Sequence, residues 1–197
     1  MKKLLFVNAC LRENSRTEML ARKYLSGIKD DQIEELRLAD LNLQPFDAQM
    51  LKERDADIAL GKTDGECYAL ARQFASADRI VMVAPYWDCL FPAKLKLYWE
   101  HICVSNLTFG YDANGLPVKK CRAESFTYIT TSGGFLPTPS ALEMLINELC
   151  RMLAMYLVGA MLSSKKIQKK MGTAMTEGML MPYNKVLEKA RKEKENN

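Results

Sequence analysis

A chain of 197 residues, 48% of them hydrophobic, has the size and composition of one folded domain with a sizeable core. Its net charge of +4 is mild and argues against nucleic acid as the main partner. Six cysteines without metal-ligand spacing and a lone histidine, His101, leave no candidate metal set and point to a reduced, cytoplasmic setting.

The chain enters an apolar β-rich run, Leu4–Val7, almost at once, which leaves no room for a signal peptide. A glycine-free loop follows, carrying Arg12, Asn14, Ser15, Arg16 and Thr17, and then a helical pattern begins. Ser15 can cap that helix, with Glu18 closing a capping box. The same groups also suit an anion: free backbone N–H groups, the positive end of the helix dipole, two hydroxyls and two guanidiniums. Without glycine the backbone cannot approach a pyrophosphate closely, and neither the dinucleotide fingerprint nor the P-loop pattern is present. A single phosphate monoester is the ligand this loop suits.

Ile33–Leu36 is the second strand candidate. After it, Thr63 and Glu66 read as a capping box for a helix whose buried face holds Cys67, Leu70, Ala71 and Phe74. Ile80–Ala84 is the third strand, followed by PYWDCLFPAKL, in which Tyr86, Trp87 and Leu90 can wall a flat apolar ring. Pro92 opens a helix with Leu95, Tyr98, Trp99 and Ile102 on one face; His101 lies there and reads as structural. Asn114–Gly115 is a strong turn signal, which predicts a protruding hairpin around 106–120.

Ser125–Thr130 is the fourth strand, and its loop, Thr131, Ser132, Gly133 and Gly134, offers hydroxyls and open backbone. Ser140–Leu157 reads as a helix, 169–179 as a weak last strand, and Tyr183, Val186, Leu187 and Ala190 as the buried face of a final basic helix. The longest apolar stretch, Leu153–Leu162, is too short to span a membrane. Strands alternating with helices predict an open, doubly wound α/β sheet of about five parallel strands, covered by helices on both faces. Ligands of such sheets bind beyond the carboxyl ends of the strands, so the three loops above converge on one cup: phosphate at one end, planar ring at the other.

The segments VNACLRENSRT, APYWDCLFPAKLKLYWEHI, TFGYDANG and ITTSGG, in that order and spacing, resemble the flavodoxin-like FMN-dependent NAD(P)H oxidoreductases, nearest to the azoreductase and quinone reductase type. The resemblance covers about residues 3 to 135. It implies a single three-layer flavodoxin-like domain over 1–197 with FMN bound in the cup. Ser15, Arg16 and Thr17 would then hold the phosphate, with Arg12 nearby. Pro85, Tyr86, Trp87, Asp88 and Cys89 would flank the isoalloxazine, with a backbone N–H near N5, and Thr131 to Gly134 would line its other edge.

It further implies a two-step reaction: NADH or NADPH gives a hydride to flavin N5, and a quinone, azo or nitro compound then receives it. The cofactor does that chemistry, so no acid–base side chain is required. Homodimers are usual in the resembled family, which makes Phe109 and Tyr111 candidates to roof a partner's site. Two positions depart from its pattern. Ala9 and Cys10 stand where serine is common, and Asp88 stands where asparagine is common. A carboxylate at 88 would repel an anionic reduced flavin. The alternative reading is a flavodoxin-like electron-transfer or regulatory module that turns over no substrate; Cys10 and Cys89 read as small fillers rather than redox thiols.

Overall fold

Leu4, Leu5, Phe6 and Val7 are four apolar residues in a row, and none retains any exposed surface. A strand buried on both faces reads this way, and Lys2–Asn8 (β1) is an inner strand of the sheet. In the computed structural model, residues 1–29, 31–114 and 117–133 are described, together with the backbone of 157–164. The remaining elements in chain order are α1 (Arg16–Leu25), β2 (Asp31–Arg37), α2 (Ala48–Ala59), α3 (Ala69–Ser76), β3 (Arg79–Val83), α4 (Ala93–Ile102), β4 (Phe109–Tyr111), β5 (Pro117–Lys119), β6 (Ser125–Ser132) and β7 (Leu157–Ser164).

The main sheet is parallel, in the order β2-β1-β3-β6-β7. Register places Asn8 opposite both Arg37 and Val83, so the carboxyl ends of β1, β2 and β3 finish level. Because β2 lies on one side of β1 and β3 on the other, the winding reverses at β1 and a crevice opens there.

Alternation along the strands divides the core into two layers. Leu5, Val7, Ile80, Met82, Phe126 and Tyr128 face α3 and α4, where Phe74, Leu95, Tyr98 and Trp99 meet them. Leu4, Phe6, Val81, Val83 and Ile129 face the other way and pack against Leu20, Ala21 and Leu25 of α1. Each fully buried large apolar side chain contributes ~2 kcal/mol of transfer free energy. The α/β fold with helices on both faces follows from these two layers. A separate two-stranded antiparallel ribbon, β4–β5, pairs Phe109 with Lys119.

Several local expectations are corrected. Thr63 does not cap a helix: its carbonyl accepts from Arg72 Nη1 at 2.8 Å, a 3-10 turn occupies Glu66–Tyr68, and α3 starts at Ala69. Within that region Tyr68 is buried in place of Cys67, which is exposed. Helix α4 begins at Ala93 with Pro92 as its cap residue. The fifth strand described is Leu157–Ser164, and Leu157 opens a strand where a helix end was expected. Residues 140–156, the span 169–179 and the final helix lie outside the described residues. Among the described residues no helix is long and apolar enough to cross a membrane.

Candidate functional site

The first loop is shaped from below. Asn8, the last residue of β1 and 1% exposed, accepts the Cys10 N–H through Oδ1 at 3.0 Å. Ala9 N–H donates to Val83 O at 2.8 Å, which ties the loop's start to β3. Asn14 then turns the chain at φ 54°, a left-handed conformation that asparagine tolerates. Ser15 sits at the N-cap and its Oγ accepts from Glu18 N at 3.4 Å, a long bond. The reciprocal half of a capping box is not made, because the Glu18 carboxylate is taken by Arg22 and Arg37. The Ser15 hydroxyl thus caps the helix through its lone pair and also lies in hydrogen-bond reach of the Cys10 thiol. Arg16, the first helical residue, is exposed, and Thr17 is buried.

The second loop is a tight reversal. Trp87 N donates to Leu90 O at 3.0 Å and Leu90 N to Trp87 O at 2.8 Å. The two central residues, Asp88 at φ 48° and Cys89 at φ 65°, are both left-handed, the signature of a type I′ turn. Neither is glycine, so each costs about 1–2 kcal/mol of backbone strain. Asp88 and Cys89 form the exposed tip, Tyr86 and Trp87 are half-buried at its base, and Pro85 is buried. The third loop continues β6 through Thr131 and Ser132 to Gly133. Nothing lies within 4 Å of where a Cβ on Gly133 would sit, so its backbone is open. Gly134 lies outside the described residues.

Three contacts bring these loops together. Thr17 Oγ1 and Thr131 Oγ1 are 2.7 Å apart, joining the first loop to the third. Tyr86 N donates to Thr131 O at 3.0 Å, joining the third to the second. The Arg12 guanidinium lies over the Trp87 ring, 5.2 Å from its centroid, joining the second to the first. The Thr17–Thr131 bond uses one of the two hydroxyl protons and leaves the other for a ligand. A helix N-terminus with exposed Arg16 at one end, an aromatic wall at the other and small polar groups between them fit a phosphate-bearing planar cofactor.

Not every candidate joins the cup. Phe109 and Tyr111 sit on the β4–β5 ribbon with their rings edge to face, centroids 5.9 Å apart. Among the described residues neither has a ring contact or hydrogen bond with the three loops. His101 Nε2 donates to Gln44 O at 2.9 Å and packs against Phe46, beside a cavity of about 140 Å³ that also meets Arg54, Asp57 and Tyr68. Burial pushes the Cys10 thiol up to about 11, with the Ser15 hydroxyl pulling it back, so Cys10 stays protonated near neutral pH. Asn8, Glu35 and Arg37 were not among the sequence candidates; Asn8 alone had a signal, a polar residue ending an otherwise apolar strand, whereas the polar β2 marks neither Glu35 nor Arg37.

The arrangement has counterparts. The sequence model of a protein family described as having a flavodoxin-like fold matches residues 2–157. An FMN-dependent NADH:quinone oxidoreductase from Clostridium acetobutylicum is 32% identical over 145 residues, which is 68% of this chain and 69% of the relative. Another from Geotalea uraniireducens is 33% identical over 152 residues, 68% of this chain and 72% of that one. Among solved structures, an azoreductase from Bacillus anthracis str. Sterne superposes with a TM-score of 0.73 at 21% identity, covering 86% of this chain and 90% of that one. An FMN-dependent NADH-azoreductase from Bacillus anthracis str. Ames Ancestor, solved with FMN, gives 0.69 at 19% identity, covering 85% and 89%.

Proposed function

Since this chain belongs to the flavodoxin-like fold family, we propose that it is an FMN-dependent NAD(P)H oxidoreductase of the quinone reductase or azoreductase type. The observation that carries the reading is the mutual tethering of the three loops through Thr17, Thr131, Tyr86, Arg12 and Trp87. It forms one continuous site at the switch point of the sheet, with phosphate donors at one end and aromatic rings at the other.

Ser15, Arg16 and Thr17 hold the FMN phosphate at the start of α1. Pro85, Tyr86, Trp87, Asp88 and Cys89 seat the isoalloxazine, and Thr131, Ser132, Gly133 and Gly134 line its opposite edge. Bound FMN supplies the redox chemistry, passing a hydride from NADH or NADPH to a quinone, azo or nitro acceptor in two half-reactions. The protein's own residues orient the ring and narrow the water-exposed face. A second copy of the chain, with Phe109 and Tyr111 over the neighbouring site, completes the proposed assembly.

The visible spectrum of the purified protein tests this first. A yellow protein that releases FMN on heating and oxidises NADH or NADPH only with a quinone or azo acceptor is expected. A colourless protein that ignores added FMN overturns the reading.

A further inference from the structure

Four arginines lie along the first loop, α1 and the adjoining end of β2: Arg12 in the loop, Arg16 at the start of the helix, Arg22 in its last turn and Arg37 at the end of β2. Two of them are spent on carboxylates. Arg22 Nη2 donates to Glu18 Oε1 at 2.7 Å and to Glu35 Oε1 at 2.9 Å. Arg37 Nη1 donates to Glu18 Oε1 at 2.9 Å and lies 3.5 Å from Glu35 Oε1. The carboxyl of Glu35 also receives Asn8 Nδ2 at 3.1 Å, and Asn8 in turn fixes the Cys10 N–H. This makes a closed network of two positive and two negative charges, fastened to the floor of the first loop. Arg12 and Arg16 make none of the ion pairs among the described residues. Arg12 lies on Trp87, Arg16 is exposed, and the remaining nearby carboxylates are exposed Glu13 and, beside Arg37, exposed Asp40.

We infer that Glu35 is a positioning residue that, together with Glu18, neutralises Arg22 and Arg37 and holds them away from the anion site. The site is thereby limited to two uncommitted positive charges, the complement of a phosphate monoester dianion. The inference rests on the proposed FMN site, but its physical content concerns the anion end alone. With Glu35 neutralised, Glu18 alone faces Arg22 and Arg37, the network beside the first loop carries one net positive charge, and anions of higher charge gain most.

The test is Glu35→Gln in the full-length protein. Glutamine keeps an oxygen to accept from Asn8 and removes only the charge. Flavin fluorescence quenching follows FMN and riboflavin; calorimetry follows inorganic phosphate and pyrophosphate. At low ionic strength E35Q is expected to bind FMN and phosphate about fivefold tighter than the parent. Pyrophosphate should gain more and riboflavin nothing, and added salt should erase the gains. Adding Arg22→Met to E35Q should abolish them, a readout that a merely structural Glu35 would not produce.

An unchanged FMN-to-riboflavin ratio in E35Q, or a parallel loss of both, overturns the inference while the FMN reading stands. A parent protein that ignores FMN yet shows the phosphate gain in E35Q keeps the inference and sinks the flavin reading. Neither FMN nor phosphate bound by either protein overturns both.

Discussion

Thr17 and Thr131 are 114 residues apart in sequence, yet their hydroxyls share one buried hydrogen bond of 2.7 Å. That bond joins the start of α1 to the end of β6. The carbonyl of Thr131 also holds the Tyr86 N–H. Thr131→Val keeps the shape and deletes the hydroxyl. It should weaken FMN binding by about tenfold and cost about 1 kcal/mol of stability. Fluorescence titration and urea unfolding measure the two; unchanged FMN affinity would show that the hydroxyl pair does not serve the site.

The turn at Asp88–Cys89 stores strain because two non-glycine residues occupy left-handed backbone. Cys89→Gly should relieve part of it and raise stability by about 0.5–1 kcal/mol, after glycine's greater unfolded-state entropy is deducted. Denaturant unfolding checks this. A loss of stability would mean that the Cys89 side chain contributes packing that its exposure does not suggest.

Thiol reactivity should divide by burial. Cys67 and Cys89 are exposed, whereas burial pushes the Cys10 thiol up to about 11 and that of Cys121 up to about 12. An alkylating reagent near neutral pH should therefore modify Cys67 and Cys89 and spare Cys10 and Cys121. Saturating FMN should slow labelling of Cys89 and leave Cys67 unchanged. Peptide mass mapping distinguishes the sites, and equal protection of both would move the ring away from the type I′ turn.

Asp88 is exposed and takes part in none of the ion pairs among the described residues. Beside the isoalloxazine of the proposed FMN site, its carboxylate would disfavour reduction to an anionic ring. Asp88→Asn should raise the two-electron potential by about 20 mV, corresponding to about 1 kcal/mol of relieved repulsion. Asparagine also accepts left-handed backbone readily, so the turn should survive. Spectroelectrochemical titration of the holoprotein gives the answer.

Burial opposes ionisation of Glu18, but hydrogen bonds from Arg22 and Arg37 outweigh it and hold its carboxyl below the ordinary value of 4.5. A carboxylate depressed on folding stabilises the protein above its unfolded value, and that contribution disappears as pH falls through the lower folded value. Stability should therefore decline below about pH 4.5. Glu18→Gln should flatten that decline, which thermal unfolding across acid pH would detect.

Much of the sheet was legible because two of its inner strands are apolar runs: Leu4–Val7 and Ile80–Ala84 cannot be soluble unless buried. The Ser15 cap and the Pro92 helix start were legible from local backbone chemistry. Helix α2 gave no such signal, since Ala48–Ala59 buries no residue and so carries no apolar stripe. Strand Leu157–Ser164 was not anticipated because the apolar run Leu153–Leu162 lacks alternation, and periodicity cannot separate such a strand from a buried helix segment. The Thr63–Glu66 pair had the spacing of a capping box, but the Thr63 carbonyl is claimed by Arg72, a contact that no local pattern announces.

The amino-acid order by itself determined the α/β class and the three loops at strand ends, because these follow from burial patterns and chain stiffness acting over a few residues. Tertiary structure alone decided which groups meet: Thr17 with Thr131, Arg12 with Trp87, Asn8 with Glu35. It also decided that Arg22 and Arg37 are neutralised while, among the described residues, Arg12 and Arg16 make no ion pair. Such pairings depend on strand order and register, and local sequence carries no record of either.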